Sequence, residues 1–207
     1  MDDCYRNMDT KTKCCCVSTT SVVLLATIIT AMSFGAIEPT QYGILYHKLT
    51  KDIDSINVQE GGLQFVGPLT SLIKFPRTHQ VIEFSDYKDA NEGPLATRTL
   101  EGLELNLHVS FQYQLIKDEL PKLYSLAGSD YEALFTRIAA DVILQQAGHY
   151  PAPDYWKKRS QIGKEFEIKL RERLLKAHAN CTGLMLLKID LPDVYESAIV
   201  DTQVVIQ

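Results

Sequence analysis

The sequence predicts an α+β domain behind an N-terminal transmembrane helix, with the start of a further helix at the C-terminus. Three observations carry this. Cys14 to Ile37 is an uncharged run of 24 residues. Leu103 to Leu115 alternates apolar and polar residues without a break. From Asp118 onward the apolar spacing changes from two to three and four, the shift from strand to helix periodicity. The order of strands, one long strand, helices and a last strand describes a mixed domain rather than a repeated βαβ unit.

Residues 1–13 form a polar tail with acids and bases mixed, unlike an Arg-rich, acid-poor mitochondrial presequence. Residues 14–37 read as the anchor. At about 1.5 Å per residue such a helix reaches about 36 Å, against a hydrocarbon core of about 30 Å. Ser18 to Ser21 interrupt its start, but hydroxyls in a helix bond back to the preceding turn. The run has no internal proline, so a single pass is expected rather than a hairpin. The alternative is a cleaved signal peptide ending near Ala31-Met32-Ser33. Thr27, Ala31 and Gly35 recur at four-residue spacing, which puts small residues on one helix face as packing candidates.

Cys14, Cys15 and Cys16 stand at the start of the run. Three adjacent cysteines cannot wrap one metal, because a tetrahedral site needs ligands from separated segments. Beside a membrane segment they are candidates for thioester acylation. Cys181 is the one cysteine of the body, so no disulfide is expected there.

Residues 38–192 read as the folded domain. Gln41 to Tyr46 predicts a strand. Ile56 to Gln59 and Leu63 to Val66 predict two strands joined through Glu60-Gly61-Gly62. Ile73 to Pro76 and Gln80 to Phe84 add short extended pieces, and Asp86 to Pro94 a loop. In the long strand the even positions, His108 among them, are expected to face solvent. Leu120, Leu123 and Tyr124 mark a short helix. A longer one runs from Asp130, capped by Ser129 or Asp130, to about Gly148. Tyr155 to Ala179 predicts the longest helix, with Ile162, Phe166, Leu170 and Leu174 on its core face, Ile168 and Leu175 widening it, and Gly183 following its end. Leu184 to Leu191 is the last strand, and residues 193–207 the start of a C-terminal helix.

The long helix carries eight basic residues between Lys157 and Lys176. A solvated face with pairs such as Glu165–Lys169 and Glu167–Arg171 is the reading preferred over a docking ridge. Asn180-Cys181-Thr182 is a glycosylation sequon, expected past a helix end. Three basic residues before the anchor against two after it vote weakly for a cytoplasmic N-terminus.

Several motifs, in order, carry a resemblance. Pro39-Thr40-Gln41-Tyr42-Gly43 resembles the opening strand of the stomatin, prohibitin, flotillin and erlin superfamily, called SPFH or band 7. Gly67-Pro68 with Phe75-Pro76 is similar to its hairpin. Arg98-Thr99 and Glu101-Gly102, leading into Leu103 to Tyr113, resemble its long strand, and Leu191-Pro192 with Ala198-Ile199 to Gln203 its final strand and long helix. The resemblance spans about Glu38 to Gln207. It implies a membrane-anchored oligomer, built with itself or paralogous SPFH proteins, that organises lipid microdomains and partner membrane proteins. The alternative is a regulatory subunit modulating a channel, transporter or membrane protease. Plasma membrane or endomembrane is favoured over the mitochondrial inner membrane.

The net charge of −5 argues against nucleic acid as a partner, since a phosphate footprint needs a basic surface. There is no G-x-S-x-G elbow, H-E-x-x-H pair or Walker loop, and the five histidines share no spacing. Neither catalysis nor a metal or cofactor is expected.

Overall fold

A computed structural model describes residues 21, 23, 24, 27, 28, 33–49, 51–53, 58–67 and 69–192. The chain divides into two compact units, residues 1–75 and 76–207.

In the first unit, β1 (Phe34–Ile37) pairs antiparallel with β4 (Gly62–Phe65). β2 (Gln41–His47) lies between β3 (Asp52–Ile53) and β5 (Thr70–Pro76). Two expectations change here. The apolar run does not stay helical to Ile37, because its last four residues are β1; Ser33 accepts the N–H groups of Val66 and Gly67 at the strand's entry. Leu63 to Phe65 also does not pair back on the preceding segment. Gln59 instead bridges Gly43, with N–H to carbonyl distances of 2.8 and 2.9 Å. Ile37, Tyr42, Ile44 and Phe75 are buried.

The second unit is built on β8 (Glu104–Leu115). One edge carries β6 (Gln80–Phe84) beside residues 109–113 and β7 (Leu95–Arg98) beside residues 104–107. The other edge carries β9 (Ala179–Asp190) along its whole length. All pairings are antiparallel. The period-two pattern holds: Leu105, Leu107, Val109, Phe111, Tyr113 and Leu115 are all buried. His108 is the exception on the polar face, buried at 1% exposure where solvent was expected.

A 3₁₀ turn (Lys117–Glu119) leads into α1 (Leu120–Ala127), followed by α2 (Tyr131–Ala147), α3 (Ala152–Lys157) and α4 (Arg159–Lys176). Neither Ser129 nor Asp130 caps α2 through its side chain. Phe135 of α2 meets the Tyr113 ring edge to face at 5.0 Å, which fixes the helices on the odd face of β8. The predicted long helix is two. Pro151 and Pro153 start α3 in what reads as a loop, since proline suits a first turn, and Lys158, at φ −122°, separates it from α4. Ile162, Phe166, Leu170 and Leu174 are buried as their spacing predicts, whereas Ile168 and Leu175 are exposed.

Gly183 does not follow a helix end. α4 stops at Lys176, His178 takes the left-handed turn at φ 67°, and Gly183 lies inside β9. β7 is a strand that sequence reading leaves unassigned. It enters β8 through a turn in which Gly102 adopts φ 82°, its N–H bonds the Thr99 carbonyl at 2.9 Å, and Thr99 Oγ1 accepts the Leu103 N–H at 3.2 Å.

Candidate membrane-facing ribbon

The register of β1 and β4 sets Phe34 opposite Phe65 and Ala36 opposite Leu63. Cross-strand partners and every second residue share a face, so these four side chains form one surface of the ribbon. Phe34 is 52%, Leu63 70% and Phe65 66% exposed. The two phenylalanine rings meet edge to face at 5.6 Å, with an interplanar angle of 74°. The opposite face belongs to the core, where Ile37 is buried. The outer face of this ribbon is therefore apolar, where a charged face usually shields such a strand pair.

Gly35 belongs to that packing and not to a helix stripe. A Cβ there would lie 2.8 Å from Val66 Cγ2 and 3.3 Å from Leu72 Cδ2. Its small size answers to close side chains in the sheet, which corrects the expected helix face of Thr27, Ala31 and Gly35. Thr27 is helical and exposed, and its hydroxyl donates to the Leu24 carbonyl at 2.8 Å. Ala31 lies outside the described residues, as do Cys14, Cys15, Cys16, the tail 1–13 and residues 193–207. Val23, Leu24 and Ile28 are exposed apolar side chains on helical backbone, ahead of β1 in the chain. No helix of the described residues is long and apolar enough to cross a membrane.

Asn180 follows the end of α4 at Lys176 and is the second residue of β9, paired with Gln114 and half-buried. The hydroxyl of its sequon partner Thr182 donates to the Gln112 carbonyl at 3.3 Å.

His108 sits between two carboxylates from distant segments. Its Nε2 lies 3.2 Å from Asp190 Oδ2 and its Nδ1 3.4 Å from Asp86 Oδ1. Lys188 holds Asp190 at 2.9 Å. Sequence reading missed this bridge, because 82 positions separate His108 from Asp190. The other histidines are bound apart from one another: His47 with Thr70, His79 with Thr182, His149 with the Gln145 carbonyl and His178 with Glu119. Among the described residues no three His, Cys, Asp or Glu side chains gather as a metal site.

The basic helix face is largely satisfied from within. Arg171 pairs with Glu167 as the spacing predicts, but Lys169 turns to Glu172 at 3.5 Å. Glu165 instead takes the Tyr150 hydroxyl. Lys158 pairs with Asp154 and Arg173 reaches Asp141 of α2. Arg171 also donates to the Cys181 carbonyl, and Arg159 to those of Leu186 and Leu187. Burial raises the Cys181 thiol to about 11, away from the thiolate range a nucleophile uses.

Fold and surface together define an α+β module with an apolar strand ribbon following an apolar helical segment. The SPFH domain / Band 7 family model matches residues 36–207, and the chain belongs to that family. Its members are commonly associated with membrane scaffolding. A search of curated proteins returns no match. The motif residues have physical work in the fold: Gly43 makes the bridge to Gln59, and Thr99 and Gly102 make the turn into β8.

Proposed function

We propose that this chain is a non-enzymatic, membrane-anchored oligomeric scaffold that organises lipids and partner membrane proteins. The observation that carries the membrane part of this reading is the exposed apolar face of Phe34, Leu63 and Phe65. Full transfer of such a side chain out of water is worth about 1.5–3 kcal/mol. Three side chains exposed by one-half to seven-tenths therefore gain about 3–6 kcal/mol from contact with acyl chains. The anchor in this reading is the apolar run that begins at Cys14, followed at once by a ribbon seated in the interfacial layer. Cys14, Cys15 and Cys16 are acylation sites beside it, and each acyl chain adds apolar length to the anchor. Many copies in one assembly would multiply these contacts through avidity.

Three experiments test the reading. Full-length protein in mild detergent is expected to migrate as a large assembly on native electrophoresis; a clean monomer overturns the scaffold. Hydroxylamine-sensitive acyl labelling is expected to disappear in the Cys14→Ser, Cys15→Ser, Cys16→Ser triple variant, and labelling that persists overturns acylation there. Asn180→Gln with a glycosidase shift assigns the side: a shift lost in the variant places the domain outside the cytosol.

A further inference from the structure

Among the described residues β9 has a neighbour on one side only, β8. Its other edge runs beside α3 and α4, and two adjoining hollows of about 590 and 470 Å³ follow that edge. Arg159 lines both. Together they border every residue from Leu184 to Leu191, eight consecutive positions of one strand. The helix wall is Trp156, Arg159, Gly163, Lys164 and Glu167. Gly163 marks where helix and strand come close: a Cβ placed there would stand in ordinary contact, 3.9 Å from Leu186 Cδ1, so any larger side chain must push into the trough.

The backbone of this edge has a definite orientation. In an antiparallel pair, successive residues turn their N–H and C=O alternately toward and away from the partner strand. Arg159 Nη2 donates to the Leu186 carbonyl at 2.6 Å from the helix side, so Leu186 is an outward residue. Register is unbroken from Val109↔Leu186 to Gln112↔Gly183. Leu184, two positions back, therefore presents its N–H and C=O to the trough as well. Bulges interrupt β9 at Thr182 and Leu187, and each lies beside an arginine clamp: Arg171 on the Cys181 carbonyl at 3.0 Å, Arg159 on Leu187 at 2.7 Å. The first clamp closes the strand's beginning, and the open edge starts beyond it.

Charge selects what can lie there. Of the trough's acids, Glu167 is held by Arg171 and Asp190 by Lys188 and His108. Arg159 meets only carbonyl oxygens, and Lys164 has no ion pair among the described residues. Two cations without a carboxylate therefore line the strand edge, Lys164 beside it and Arg159 spanning it at the Leu186 and Leu187 carbonyls, above Leu184 and Met185, which is 65% exposed.

We infer that this trough is a docking site for an extended acidic peptide segment of a partner protein, added as a further strand beside Leu184–Leu191. A carboxylate of the incoming segment draws Arg159 off the Leu186 and Leu187 carbonyls, which then join Leu184 in main-chain hydrogen bonding to the added strand, and Lys164 adds to the charge preference. The inference rests on the second unit alone and does not depend on the membrane reading.

The test uses the full chain in detergent and fluorescein-labelled synthetic peptides as long as the trough, alternating Glu with Val, or Lys with Val, or carrying a central proline in the Glu-Val series. Fluorescence polarisation is expected to show the Glu-Val peptide binding at least about tenfold more tightly than the Lys-Val peptide. The central proline, which removes an N–H from the added strand, is expected to weaken binding by a similar factor. Gly163→Trp, which fills the trough, and Lys164→Glu, an exposed change, should each weaken the Glu-Val peptide about tenfold. The second variant keeps the test alive if the first fails to fold. No binding, equal binding of the Glu and Lys series, or indifference to both variants overturns the proposal. So does a carbodiimide cross-link from Lys164 to residues 193–207 of the same chain or to a second copy, with the peptide excluded, because the trough would then hold a different occupant.

Discussion

At Gly43 the space left by the neighbours decides what the position tolerates. A Cβ would stand 2.6 Å from Ile37 Cδ1 and 2.8 Å from Leu72 Cδ1, inside a unit where Ile37 and Phe75 are already buried. Gly43→Val is expected to cost about 1–3 kcal/mol by overpacking, read as a fall in the denaturant midpoint. Gly93→Val, with no atom within 4 Å, is the control that should leave it unchanged. His108 gives the opposite case, a polar side chain that the fold needs. Its Nε2 meets Asp190 at the end of β9, while its Nδ1, buried 3.4 Å from Asp86, makes no hydrogen bond. His108→Ala removes the Asp190 contact and the side chain beside Asp86 and is expected to destabilise by about 1–3 kcal/mol, with faster proteolysis between Asp86 and Asn91. Wild-type midpoint and cleavage in that variant would mean the bridge contributes nothing. The burial of His108 was not legible in the sequence. Period two correctly assigned its face, but the partners that cover that face come from segments far away in the chain.

Among the elements, β8 and α4 were legible because their signal is internal. An alternating run and a four-residue stripe each state their own periodicity, and the structure buries Leu105 to Leu115 and Ile162 to Leu174 accordingly. Elements whose identity comes from a partner were not. β1 lies in an apolar run that reads as helix to Ile37, and only the ladder with β4 shows where the helix must stop. β7 is four residues without a pattern of its own, recruited by the edge of β8. Gly183 reads as a helix terminator, yet His178 makes the turn and the glycine is spent inside a bulged strand. The ribbon was missed for the same reason, since the face shared by Phe34 and Leu63 exists only once β1 and β4 pair. If it seats in the bilayer interface, replacing Phe34, Leu63 and Phe65 by serine in one variant should speed hydrogen exchange of the β1 and β4 amides in vesicle-bound protein by more than it does in detergent. Equal acceleration in the two would confine membrane attachment to the segment before it.

On the scale of the whole molecule, the buried ionisable groups of the second unit set how stability responds to pH. The groups whose burial opposes ionisation, Tyr113, Tyr131, Tyr150, Tyr155 and Cys181, all lie in the second unit, around β8, α2, α3 and β9. Tyr131 and Tyr150 are pushed up to about 12, Tyr131 by burial and then the Glu132 charge, Tyr150 by burial and then its bond to Glu165. Tyr113 and Tyr155 are raised further, chiefly by burial. The sign follows from proton counting. Above the unfolded values of 9.0 for the thiol and 10.0 for the phenols, the unfolded chain loses protons that the folded unit retains. Stability then falls as pH rises, since the slope follows the difference in bound protons. The loss starts near pH 9 through Cys181 and steepens from pH 10 toward 12 as the tyrosines join it. Trp156, the chain's one tryptophan, lies in this unit, so its fluorescence follows it selectively. The urea midpoint from Trp156 fluorescence is expected to hold up to about pH 9 and then drop steadily, with Tyr131→Phe and Tyr150→Phe each flattening the decline. A midpoint constant across that range would show that these side chains meet water freely in the folded unit, contrary to the packing of Tyr131 on Phe135 and of Tyr150 on Tyr155 and Phe166.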